Sequence, residues 1–198
     1  MARILIVGGG CPGRSLARRL TDGGHAVRIT TRDESARAEI VAAGAECWIG
    51  TPDRLATLRG ALDHVTIACW LLAGARGQRE QLSALHSSRL ELFLTQAIDT
   101  TVRGFLYDAT VPVRAPAPAP AQDRPSDDGR GGDRVTPEQL AGGARIVERL
   151  TTLNVIPAAV LSADGRPESG ARSAWVDRAG AAIDGLLSGR VARPVEPV

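Results

Sequence analysis

Residues Ile4-Leu5-Ile6-Val7 form an unbroken aliphatic run that passes directly into Gly8-Gly9-Gly10-Cys11-Pro12-Gly13, and this junction constrains the fold more than any other stretch. Four consecutive aliphatic side chains suit a strand covered on both faces, as in parallel sheets flanked by helices. Gly8, Gly10 and Gly13 stand in G-x-G-x-x-G spacing. One glycine serves a tight turn, one the close approach of backbone to a pyrophosphate, and one the packing of the next helix on the strand. Pro12 suits the first turn of that helix, where the N–H it lacks has no intrahelical partner. The N–H groups of Cys11, Gly13 and Arg14 are expected to stay free at the positive helix end, which favours an anion. Leu16, Ala17 and Leu20 follow at helical spacing, Asp22-Gly23-Gly24 supplies a stop, and residues 25–31 resume as a strand. That completes a βαβ opening and predicts a dinucleotide site; a glycine turn that merely joins strand to helix is the alternative.

The alternation continues. Residues 34–43 read as a helix capped by Asp33 with Gly44 as its exit, 45–49 as a third strand, 54–62 as a helix and 65–72 as a fourth buried strand. A long helix is predicted over 80–102, a fifth strand over 104–110, a sixth over 154–161 and a final amphipathic helix over 173–187. Thr136-Pro137-Glu138-Gln139 has capping-box form and opens the helix that carries Leu140, Ala144, Val147 and Leu150. The predicted fold is α/β, a doubly wound, mostly parallel sheet in a single domain over residues 1–189. Residues 112–134 are expected to form a flexible Pro/Gly-rich loop, either a lid or a solvated insert, and residues 190–198 a loose tail.

A chain of 198 residues is long enough for one full core and too short to add a large substrate domain. Net charge is +2 with acids and bases interspersed, so no basic stripe argues for nucleic acid. The three cysteines include no C-x-x-C pair, which fits a reducing compartment and implies no metal site. No run reaches the length needed to span a bilayer, so the expected location is cytoplasmic with no membrane partner. A homo-oligomer remains open.

The cofactor is read at the end of the second strand, where an acid would bind the ribose 2′-hydroxyl of NAD. That place holds Thr30-Thr31-Arg32, with no acid before Asp33. A small hydroxyl beside an arginine suits a 2′-phosphate, so Thr31 and Arg32 favour NADP, NAD being the alternative. The other candidate chemistry lies at Tyr107, Asp108 and Thr110, at the carboxyl end of the fifth strand, where polar residues also simply begin a loop. Cys11 reads either as a reactive thiol or as packing beside the cofactor. Cys47 and Cys69 read as buried fillers and Trp48 and Trp70 as core. His25 reads as structural, and His64 and His86 have no identifiable partner.

Residues 3–33 resemble the opening of atypical short-chain dehydrogenase/reductase proteins, including epimerase/dehydratase-like and NmrA-like members. The resemblance extends more weakly through Gly44-Ala45-Glu46 and Gly50-Thr51-Pro52-Asp53 to about residue 110. The Gly-Gly-His-Ala-Val stretch and Thr-Arg strand end also resemble deazaflavin-dependent NADP reductases. The usual family spacing is G-x-x-G-x-x-G, one residue longer than this turn. The resemblance implies an NAD(P)-binding Rossmann fold with Thr110 near the position of the catalytic serine. Active members pair Tyr with Lys in Y-x-x-x-K so that the lysine lowers the phenol pKa. This chain has no lysine, and its only tyrosine, Tyr107, lies in a predicted strand. Two functions follow: an NADP-preferring oxidoreductase or epimerase-like protein acting on an unidentified small molecule without that pair, or a non-catalytic sensor of the NmrA-like type that reports to a protein partner.

Overall fold

In the computed structural model, which describes residues 1–111, 132–162 and 171–189, all six predicted strands are present. They are β1 (Arg3–Val7), β2 (Ala26–Thr31), β3 (Glu46–Ile49), β4 (Ile67–Trp70), β6 (Gly104–Asp108) and β8 (Ala158–Leu161). They form one parallel sheet in the order β3-β2-β1-β4-β6-β8. Strand order reverses between β1 and β4, the place where open α/β sheets hold ligands beyond their carboxyl ends. In register, Val7 lies opposite both Thr30 and Trp70, and Trp70 opposite Tyr107.

Alternation along each strand sorts the core into two layers. Ile4, Ile6, Val27 and Ile29 face α1 (Cys11–Asp22), α2 (Arg37–Ala42) and α6 (Ala171–Leu187), meeting Leu16, Ile40 and Ile183. Leu5, Val7, Trp70 and Phe105 face α4 (Ser88–Ile98) and α5 (Pro137–Leu153), meeting Phe93 and Val147. Each fully buried Leu or Ile in these layers contributes about 1.5–3 kcal/mol by leaving water. Cys69 and Trp70 are core as predicted, whereas Cys47 and Trp48 are only half-buried.

Besides the helix predicted over 34–43, which opens as a 3-10 turn at Glu34–Ala36 before α2, three elements depart from the sequence reading. The helix predicted over 80–102 is broken into α3 (Arg79–Leu85) and α4, because His86 and Ser87 leave helical geometry and the Ser87 hydroxyl donates to the Ser83 carbonyl at 2.7 Å. The helix predicted over 54–62 is instead two 3-10 turns, Leu55–Leu58 and Gly60–Leu62. Side chains from the sheet claim its carbonyls: Trp48 Nε1 donates to Thr57 O at 2.8 Å and Arg28 Nη1 to Ala61 O at 2.7 Å. Finally, β5 (Arg76–Gly77) and β7 (Asp133–Arg134) pair antiparallel, so the expected loop over 112–134 ends in a short ribbon. The rest of that loop, 112–131, and the tail 190–198 lie outside the described residues.

Candidate functional site

The glycine turn is built by close contacts that dictate residue type at two of its three motif positions. Gly8 follows β1 with φ +129°, a conformation open to glycine. A Cβ there would also stand 2.5 Å from the Leu71 carbonyl oxygen. A Cβ on Gly13 would stand 2.3 Å from the Gly8 carbonyl oxygen, so the first turn of α1 rests on the loop itself. Gly10 differs. It is exposed and extended (φ −67°, ψ 175°), and its Cβ would meet only Pro12 Cδ, at 3.7 Å. Nothing within the described residues requires glycine there, and the backbone at the N-terminus of α1 is open at this position. The cradle therefore fits a pyrophosphate.

Gly10 is the N-cap of α1, with Pro12 in its first turn as expected. One expectation is corrected. The Arg14 N–H is not free: it donates to the Gly10 carbonyl at 3.1 Å and closes the first helical turn. The early N–H groups of Cys11 and Gly13 precede that first bond and keep the orphan character of a helix start. The Arg14 side chain folds back over the turn, with Nη1 donating to Gly9 O at 2.7 Å and Nη2 lying 3.4 Å from Cys11 Sγ and 2.8 Å from Glu39 Oε2. Cys11 itself is exposed.

Gly9 sets this turn against the end of β2, since its Cβ would lie 3.2 Å from Thr30 O and 3.5 Å from Thr31 Cβ. Thr31 ends β2, and its hydroxyl accepts from the Asp33 N–H at 3.2 Å. Asp33 caps the next turn through Ser35 N–H to Oδ1 at 2.9 Å, and those hydrogen bonds hold its carboxyl below the usual range. The Arg32 side chain is exposed and makes no hydrogen bond among the described residues.

At the end of β6 the three candidates part company. Tyr107 points into the layer between β6 and α5, fully buried, with its hydroxyl 2.7 Å from His86 Nδ1 and donating to Leu140 O at 3.3 Å. Burial pushes the Tyr107 phenol up and the His86 imidazole down, to about 4. His86, expected to be without a partner, is thus the partner of the chain's only tyrosine. Asp108 faces the opposite layer, where Oδ1 accepts from Thr110 N–H at 3.0 Å and from Trp175 Nε1 at 3.4 Å. Burial raises its pKa. The Thr110 hydroxyl is buried and has no hydrogen-bond partner among the described residues.

Helix α5, which follows β7, has the predicted capping box: Gln139 N–H donates to Thr136 Oγ1 at 3.3 Å and Thr136 N–H to Gln139 Oε1 at 2.9 Å. Its inward residues are Leu140, Gly143, Val147 and Thr151. Sequence reasoning missed His86, Gly143 and Trp175. The signals present were the His-Ser-Ser interruption of a helical stretch and two adjacent glycines inside another, which mark close approach. No group of three or more acidic, His or Cys side chains suited to a metal occurs among the described residues.

No protein-family profile matches the sequence, nor does any curated protein. Solved structures do match. UDP-N-acetylglucosamine 4-epimerase from Bacillus cereus is 15% identical over 98% of this chain and 76% of its own, with a TM-score of 0.64. A short-chain dehydrogenase/reductase superfamily protein from Agrobacterium tumefaciens, solved with NAD, is 18% identical over 81% of this chain and 48% of its own, with a TM-score of 0.59. UDP-glucose 4-epimerase from Thermotoga maritima, solved with UDP-glucose, is 16% identical over 81% and 54%, also at 0.59. This chain thus spans about half the length of the latter two. Together with the sheet order, these likenesses give the chain the Rossmann-type α/β fold of short-chain dehydrogenase/reductase proteins and nucleotide-sugar 4-epimerases.

Proposed function

We propose that this chain binds a nicotinamide dinucleotide across the β1/β4 crevice, NADP in preference to NAD, as an oxidoreductase- or epimerase-like protein without a Tyr-Lys pair. The observation that carries this reading is the build of the glycine turn: packing demands Gly8 and Gly13, while at Gly10 the N-terminus of α1 is left open for a ligand to approach. The NAD bound to the Agrobacterium protein supports the same ligand class.

The N–H groups of Cys11 and Gly13 would hold the pyrophosphate, and Thr31 and Arg32 the 2′-phosphate. Charge-assisted hydrogen bonds of that kind contribute about 1.5–3 kcal/mol each. Asp33, the first acid past β2, is engaged by its own turn through Ser35 N–H at 2.9 Å, while the Arg32 guanidinium makes no hydrogen bond among the described residues. The nicotinamide, when bound, supplies hydride exchange. Asp108 fixes the main chain of Thr110, whose hydroxyl, like that of Tyr107, is buried. Tyr107 does not serve as proton donor in this reading, because its hydroxyl is buried against His86 and Leu140. That burial, with no Tyr or Lys on α5, favours a second reading, a non-catalytic dinucleotide sensor.

Calorimetric titration with NADPH, NADP, NADH and NAD tests the binding, with NADP(H) expected to be tightest. Failure of all four to bind would overturn both readings. Arg32→Ala is expected to lose at least about tenfold in NADP affinity, the equivalent of one such bond, with NAD little changed. Cofactor turnover on a panel of carbonyl compounds and UDP-sugars would support the enzyme. Binding without turnover on any of them would favour the sensor.

A further inference from the structure

Arg14 and Glu39 form an ion pair beside the glycine turn, which abuts the end of β2 where the 2′-phosphate is proposed to bind. Arg14 is fixed at the turn by its bond to Gly9 O at 2.7 Å, and Gly9 abuts Thr30 and Thr31 at the end of β2. From α2, Glu39 reaches across to Arg14 with an oxygen 2.8 Å from Nη2. The neighbouring base on α2, Arg37, is taken by Glu34, so among the described residues Arg14 is the cation paired with Glu39. The two partners differ in freedom: the Glu39 side chain is 65% exposed and that of Arg14 only 23%. The acid can swing away while the base stays in place.

We infer that Glu39 sets the choice between the two dinucleotides: its carboxylate stands in for a 2′-phosphate on Arg14 and is displaced when that phosphate binds. This rests on the dinucleotide reading above. With NAD the pair stays closed, since a ribose hydroxyl carries no charge to compete for the guanidinium. With NADP the phosphate takes Arg14 together with Arg32, and Glu39 turns to solvent. The displaced carboxylate remains close to the phosphate, and that like-charge repulsion moderates the affinity for NADP. Glu39 is therefore a specificity-determining residue that holds NADP preference below what two arginines alone would give.

Glu39→Gln tests this in the full chain, with dissociation constants for NADP and NAD measured by calorimetry at low and at high salt. The expected result is an NADP affinity about three- to tenfold tighter, NAD affinity within about twofold of the parent, and a difference that shrinks at high salt. A thermal melt superimposing on that of the parent shows that the exposed substitution has left the fold intact. Unchanged NADP affinity overturns the inference. Weakened NAD binding also overturns it, because Glu39 would then be accepting the ribose hydroxyl instead of holding Arg14. If the parent chain binds neither dinucleotide, the underlying reading fails and the inference falls with it, a result distinct from the other two.

Discussion

Gly142 and Gly143 are adjacent in one helix and answer to different physics. A Cβ on Gly142 would meet nothing within 4 Å, whereas one on Gly143 would lie 2.1 Å from the Tyr107 hydroxyl. Gly142→Ala is expected to stabilise the chain by about 0.5–1 kcal/mol, the helix-propensity difference. Gly143→Ala is expected to destabilise it by about 1–3 kcal/mol, because the hydroxyl must leave His86 and Leu140 in a fully buried site. Urea titrations of the two variants against the parent read both signs, and equal effects would remove the packing argument. The sequence shows only that two glycines stand together in a helix. Which one faces a hydroxyl depends on a tyrosine more than thirty residues away, and local pattern carries no such information. Thr31 and Arg32 were legible for the opposite reason, since their place at the end of β2 follows from strand length alone.

Elements whose signals are local were read correctly from sequence. All six strands of the sheet and the Thr136 cap depend on neighbouring residues, and all are present. Thr136→Ala removes the acceptor for Gln139 N–H and is expected to cost about 1 kcal/mol, measurable as a shift in the denaturation midpoint. Because α5 carries Leu140 and Gly143 against Tyr107, the same substitution should raise hydrogen exchange at the start of α5 before it affects the sheet. Elements whose form is set by distant side chains were misread. Residues 54–62 have helical spacing, yet Trp48 and Arg28 take carbonyls there. The helix over 80–102 breaks where His86 turns inward to Tyr107, a bond between residues that sequence spacing does not relate.

The buried His86 ties the stability of the whole molecule to pH. Its folded-state pKa of about 4 lies below the ordinary histidine value of 6.5, so between those values the unfolded chain binds a proton that the native state refuses. Stability from this group is therefore full above about pH 6.5 and falls as pH drops toward 4, by about 3 kcal/mol at most. Asp108 opposes it. Its carboxyl is held above the ordinary range, so its contribution is lost as pH rises through its folded pKa. Comparing urea denaturation of the parent and of His86→Gln across pH 7.5 to 4.5 isolates the histidine. The parent should lose stability more steeply, and parallel curves would reject the assignment.

The three motif glycines of the turn also divide along a line that matters for how such a chain drifts under mutation. Changes at Gly8 or Gly13 collide with main-chain oxygen and are policed by folding itself. Gly10 answers to no internal judge: Gly10→Ala should melt with the parent while losing dinucleotide. A library of variants selected only for solubility and heat resistance would purge the first two positions and let the third wander. The pattern of survivors at these positions would reveal whether the pressure on the turn came from the protein or from its ligand.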